Sequence, residues 1–151
     1  MHQRLLIVIL RKSNQNGYFF WYVLSKLLIV YFICFNMHKT GDDMKLEYNK
    51  GVLFIRFIHN IDHSISYKIN NYLVPKILTE KIKYIVFNLY EVNDIDEFGL
   101  DALLNTKCAI KTNKGKICLC EVSDNLNKKI KKIKMKKVNN EIKALDLIGA
   151  I

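Results

Sequence analysis

From Met44 onward, short apolar runs alternate with longer amphipathic stretches, and few architectures accommodate that order. Residues 45–48 and 52–58 are two such runs on either side of Asn49-Lys50-Gly51, which reads as a pair of strands joined by a short glycine-containing turn. Residues 62–80 follow, with Ile65, Ile69, Leu73 (beside Tyr72) and Ile77 on one stripe at helical spacing, and with Asp62 or Ser64 placed to cap the start. Pro75 lies inside this stretch and is expected to kink the helix or end it early. Residues 83–89 (KYIVFNL) suit a buried central strand.

The pattern then repeats. Residues 98–112 are helical by spacing, with Leu100, Leu103, Leu104 and Cys108 expected on the inner face. Asn113-Lys114-Gly115 turns the chain into a strand over 116–121 (KICLCE). A basic amphipathic helix over 124–133 with Leu126, Ile130 and Ile133 inward, a short strand over 135–138 and a helix over 141–148 complete the chain. Strands alternating with helices imply right-handed crossovers and parallel pairing. The expected fold class is therefore α/β: a single domain with a mainly parallel, four- to five-stranded sheet whose first two strands form a hairpin. A single proline and six glycines in the whole chain count against a turn-rich all-β fold. The roughly 108 residues from Met44 can bury about two-thirds of their surface, enough for an independent core.

Residues 1–43 have a different character. Residues 18–37 (YFFWYVLSKLLIVYFICFNM) carry one charge, Lys26, and about 20 residues of this kind span a bilayer. A central lysine costs about 2.5–3.5 kcal/mol on insertion scales, which the surrounding aromatic and aliphatic residues can offset. No small-residue cleavage site follows, so a signal peptide fits less well. A second reading is a misassigned start: Thr40-Gly41-Asp42-Asp43 precedes Met44, and one spelling of those residues, ACA-GGA-GAT-GAT, contains the AGGAG of a ribosome-binding site. A packed accessory helix is the third. The chain thus divides into an extension, 1–43, and a domain, 44–151.

Charge and chemistry narrow the function. The net charge is +10, yet from Met44 onward nineteen Lys or Arg stand against twelve Asp or Glu, and seven of those lysines fall within 128–137. Outside that run the domain is neutral. The run (Lys128, Lys129, Lys131, Lys132, Lys134, Lys136, Lys137) reads as the solvated side of an amphipathic helix, and it lacks aromatic residues to stack on bases, so no nucleic-acid partner is expected. Cys34, Cys108, Cys118 and Cys120 form no Cys-x-x-Cys pair; Cys118 and Cys120, two apart on a strand, read as small buried apolar residues. Glycine-rich phosphate loops, G-x-S-x-G and H-E-x-x-H are absent, and only His59 and His63 fall in the domain. No catalytic residue, cofactor or metal site is expected. A cytoplasmic setting fits the cysteine usage.

One loop stands apart. Asp94-Ile95-Asp96-Glu97-Phe98-Gly99-Leu100 joins the central strand to the second helix, at the end of the sheet where open α/β folds place their functional loops. Asp96 as N-cap with Glu97 in the first turn accounts for the charge by capping alone; a recognition surface is the alternative.

In order along the chain, Val52-Leu53-Phe54-Ile55-Arg56-Phe57, then Asn60-Ile61-Asp62-His63, then Tyr84-Ile85-Val86-Phe87-Asn88-Leu89, then Asp96-x-x-Gly99-Leu100 resemble the STAS domain of bacterial anti-sigma-factor antagonists. The Asp-His pair and the Asp-x-x-Gly loop align without a gap, and residues 141–150 are similar to the family's closing helix. The resemblance covers roughly residues 44–151. It implies partner switching: the unphosphorylated antagonist binds an ATP-dependent anti-sigma serine kinase and so frees a sigma factor, and phosphorylation of a serine directly after the loop aspartate dissolves the complex. Here that position is Glu97, and the next, often a second serine, is Phe98. The resemblance makes Asp96, Glu97, Phe98 and Gly99 the switch loop and adds Asn60, Asp62, His63 and Leu100 as partner-binding residues. A solvated cap and an exposed histidine account for Asp62 and His63 equally well. Glutamate carries one negative charge where phosphoserine carries about −1.5 to −2, so Glu97 is expected to imitate the phosphorylated state weakly and permanently. Two other classes stay open: a membrane-tethered STAS module beside a transporter or sensor, held at the inner face of the cytoplasmic membrane through residues 18–37, and a small-ligand or nucleotide-binding STAS domain.

Overall fold

The structure is a computed structural model and describes residues 43–149. Strands β1 (Met44–Asn49) and β2 (Val52–Phe57) pair antiparallel, from Met44 opposite Phe57 to Asn49 opposite Val52. Lys50 and Gly51 between them both take positive φ, 47° and 88°, the two-residue turn whose twist matches that of its strands. β3 (Tyr84–Asn88), β4 (Lys116–Cys120) and β5 (Lys136–Val138) add in parallel, giving the order β1-β2-β3-β4-β5.

Each crossover steps one strand in the same direction, so a common right-handedness puts all the crossover helices on one face. These are α1 (His63–Lys68), which runs through a π turn (Ile69–Leu73) into α2 (Val74–Thr79), then α3 (Glu97–Thr112), then α4 (Asp124–Ile130) with a 3₁₀ turn (Lys131–Ile133). The main core lies beneath them: Leu53, Ile55 and Phe57 of β2, Ile85 and Phe87 of β3 and Leu119 of β4 meet Ile65, Ile69, Leu73, Ile77, Leu103, Ile110, Leu126 and Ile130. The alternate residues of the strands face the other way. There Val52, Phe54, Val86, Cys118 and Cys120 are covered by Ala144 and Ile148 of α5 (Glu141–Ile148). Burial pushes the Cys118 thiol up to about 11 and that of Cys120 up to about 12, so both stay protonated and inert.

Two local expectations change in detail. Of the kink or early end expected at Pro75, the early end does not occur, and the helix continues to Thr79. The π turn before it supplies the reason: the Val74 N–H reaches back five residues to the Ile69 carbonyl, so the backbone ladder is already widened where proline lacks a donor and needs room. The inner face of α3 is also rotated from the expected one. It buries Gly99, Ala102, Leu103, Thr106, Ala109 and Ile110, while Leu100 and Leu104 are half-buried at its flanks and Cys108 is exposed. Small residues let the helix lie close to the sheet, and the Thr106 hydroxyl is satisfied by donating to the Ala102 carbonyl at 2.9 Å. Among the described residues no helix is long and apolar enough to cross a membrane; the expectations for residues 18–37, and for 1–42 generally, lie outside them.

Candidate docking site at the β3–α3 loop

Parallel strands end together, so the connections leaving β2 and β3 emerge side by side. Ile61 and Ile95 form a one-residue parallel bridge between them: the Ile61 N–H donates to the Asp94 carbonyl and the Asp96 N–H to the Ile61 carbonyl, each at 3.2 Å. Asn60 adds to the join. Its Oδ1 accepts from the backbone N–H groups of both Asn93 and Asp94 at 2.9 Å, an arrangement that turns the loop toward α3. Lys129 of α4 pairs with Asp94 from the far side. That bond, with the Ile95 N–H, lowers the Asp94 carboxyl below its ordinary value.

The two helices that begin here are capped alike. Asp62 Oδ1 accepts from the Ile65 N–H at 3.1 Å, and Asp96 Oδ1 from the Gly99 N–H at 2.7 Å. Asp62 is thus the N-cap of α1, and Ser64 is not. Glu97 is the first residue of α3 and exposed, where the helix dipole favours its charge. Gly99 is buried beneath it, and the close approach explains why no side chain fits: a Cβ there would stand 2.5 Å from the Ile61 carbonyl oxygen and 2.7 Å from Ile95 Cγ1. Leu100 is half-buried and packs against the main core. Phe98 projects outward, 58 % exposed, with the His63 ring edge-on to it at 4.9 Å.

The structure therefore brings together all the residues singled out in the sequence around this loop, but in two roles. Asn60, Asp62, Asp96, Gly99 and the apolar part of Leu100 build the junction. Glu97, Phe98 and His63 face outward from it. An exposed carboxylate beside two aromatic rings on a rigid frame can bind a complementary surface. Among the described residues no group of three His, Cys, Asp or Glu side chains is placed to hold a metal ion.

One constellation escaped the sequence. Arg56 on the back of the sheet donates from Nε and Nη2 to both oxygens of Glu141, at 2.6 and 2.7 Å, and from Nη1 to Glu47 at 2.8 Å. The Arg56 hydrogen bonds hold the Glu141 carboxyl below its usual range against the opposing effect of burial, with help from Asn88. Arg56 sits on a strand of otherwise apolar residues; Glu47 is across the hairpin, but Glu141 lies 85 residues away, so no local spacing announces the group.

Known proteins share this fold. The family model described as STAS domain matches residues 43–146. The chain is similar to an anti-sigma F factor antagonist of Paenibacillus polymyxa, 24% identical over 106 residues that span 68% of this chain and 91% of that protein. It is similar in structure to the anti-sigma factor antagonist SpoIIAA in its unphosphorylated form, with a TM-score of 0.61 and 19% identity over 72% of this chain and 99% of that one. A glutamate-for-serine variant of RsbS from Moorella thermoacetica matches with a TM-score of 0.61 and 14% identity, covering 70% of this chain and 94% of that one.

Proposed function

This chain belongs to the STAS domain family, and from that premise we propose that it is a non-enzymatic docking module of the anti-sigma-factor-antagonist type, working in the cytoplasm. Its partner is an anti-sigma factor of the ATP-dependent serine kinase type, and the outward surface of the β3–α3 loop is where that partner seats. Glu97 stands where the family's phosphoacceptor serine follows the loop aspartate.

One observation carries this reading: Glu97 is exposed at the first position of α3, directly after its N-cap Asp96. A charge at that point meets a docked kinase, whereas a buried or remote carboxylate would not. Because one carboxylate offers less charge and fewer acceptors than a phosphate, Glu97 weakens kinase binding without abolishing it and cannot be switched by ATP.

The test uses the full chain and its Glu97→Ser variant, each mixed with purified anti-sigma kinases from the same genome, with and without ATP. The serine variant is expected to bind more tightly and to take up phosphate at residue 97, while the native protein takes up none. Phosphate on the native loop, or a serine variant that gains none, overturns the role given to Glu97. Absence of binding to every such kinase by both proteins overturns the docking reading.

A further inference from the structure

Asn88 links the docking loop to the opposite side of the sheet. It ends β3, and its side chain lies on the α5 face in register with Arg56. Its Nδ2 donates to Glu141 Oε1 at 2.8 Å, and its Oδ1 accepts from the Tyr90 N–H at 2.9 Å. The amide has one workable orientation, because a carboxylate only accepts and a backbone N–H only donates. Glu141, in the first turn of α5, is the carboxylate that touches both Asn88 and the bidentate Arg56.

The β3–α3 loop is thus held in two halves by different parts of the molecule. Asn93 to Asp96 is tied to the β2–α1 connection through Asn60 and Ile61. Tyr90, at its start, is tied through Asn88 to α5. The Val92 N–H closes the first half onto the Leu89 carbonyl at 3.1 Å, so the backbone at Tyr90 and Glu91 is a tight turn whose outer bond is the one to Asn88. Tyr90 is 73 % exposed, the most exposed of the large apolar residues described.

We propose that Asn88 and Glu141 are positioning residues for the docking face: seating of α5 on the back of the sheet sets the turn at Tyr90, and Tyr90, which lines a surface hollow with Val122, Ser123 and Asn139, extends that face to this side of the loop. An exposed aromatic ring on a fixed backbone is the kind of group that anchors a protein partner at low entropic cost. The purpose assigned to the link rests on the docking reading, whereas the link itself is measurable in the free protein.

Amide hydrogen exchange followed by NMR on the full chain tests it, with Asn88→Ala, Glu141→Ala and, as control, Glu47→Ala. The control loses a partner of Arg56 but touches neither Asn88 nor the loop. Tyr90 is expected to exchange about five-fold faster or more in the first two variants, as for loss of one ordinary hydrogen bond. Asn93 and Asp94, held by Asn60, are expected to stay unchanged in all three. A Tyr90 rate that is unchanged, that rises only in step with the β2 and β3 amides, or that rises equally in Glu47→Ala overturns the proposal. Should Asn88→Ala not fold, Glu141→Ala decides. For the docking role, Tyr90→Ala must weaken binding to the kinase identified above at an unchanged melting temperature; unchanged affinity removes Tyr90 from the face. Exchange behaving as expected in a chain that binds no kinase would sink the docking reading and leave the link standing.

Discussion

His63 and Phe98 meet edge to face, 4.9 Å between ring centres at 87° between planes, although they open different helices. The contact ties the start of α1 to the start of α3 across the Ile61–Ile95 bridge and leaves most of the phenyl ring in water. An aromatic pair of this geometry contributes about 0.5–1.5 kcal/mol, a modest gain for a ring that has so much surface left to offer.

Replacement of Phe98 by alanine is therefore expected to change the two properties unequally. Folding stability should fall by about 1 kcal/mol or less, while affinity for an anti-sigma kinase should drop about ten-fold or more. Urea titration and calorimetric binding on the same samples compare them; a large stability loss with unchanged affinity contradicts the assignment.

Gly99 should tolerate no side chain. Gly99→Ala places a methyl group against the Ile61 carbonyl and Ile95, and overpacking of this kind costs about 1–3 kcal/mol. The denaturation midpoint should shift accordingly, and a variant as stable as the native protein would show that the helix start can slide away from the bridge.

Acid should weaken the attachment of α5. The folded-state pKa of Glu141 is depressed by Arg56, so its contribution is complete above the unfolded value of about 4.3 and drains as pH falls through the lower folded value, where the unfolded state binds the extra proton. Melting temperature followed from neutral pH downward should fall below about pH 4.3, less steeply in Glu141→Gln. Parallel curves would remove Glu141 from the account.

Thiol labelling should separate the cysteines by place. Cys108 is exposed, whereas Cys118 and Cys120 are buried with raised pKa values. Brief maleimide treatment of the native protein, mapped by mass spectrometry, should modify Cys108 and spare Cys118 and Cys120; denaturant should expose them.

The fold was legible because its signals are local. Hairpin, three parallel strands and closing helix follow from Lys50-Gly51, from apolar runs such as YIVFN and from the 3.6-residue spacing of Leu126, Ile130 and Ile133. The inner face of α3 was misjudged because burial there follows close approach, which favours Gly99, Ala102 and Ala109 over the larger Leu104 and Cys108. The passage of the helix through Pro75 needed the π turn, a backbone choice that residue types alone do not encode. At the loop, Asp96 as a cap was readable from its place before a helix, but the bridging of Asn60 to Asn93 and Asp94 depends on two connections meeting in space. Arg56, Glu141 and Asn88 were unreadable for the same reason: their meeting point is created by the sheet.

All the crossover helices share one side of the sheet, which leaves α5, among the described residues, as the lone roof over the other. A ribosome that stopped short of Glu141, or a protease that trimmed the tail after Asn139, would uncover Val52, Phe54, Val86 and Cys118 together as a flat greasy slab. Two such slabs could bury their bare sides against each other, so truncated molecules are expected to pair or precipitate while the docking end still looks native.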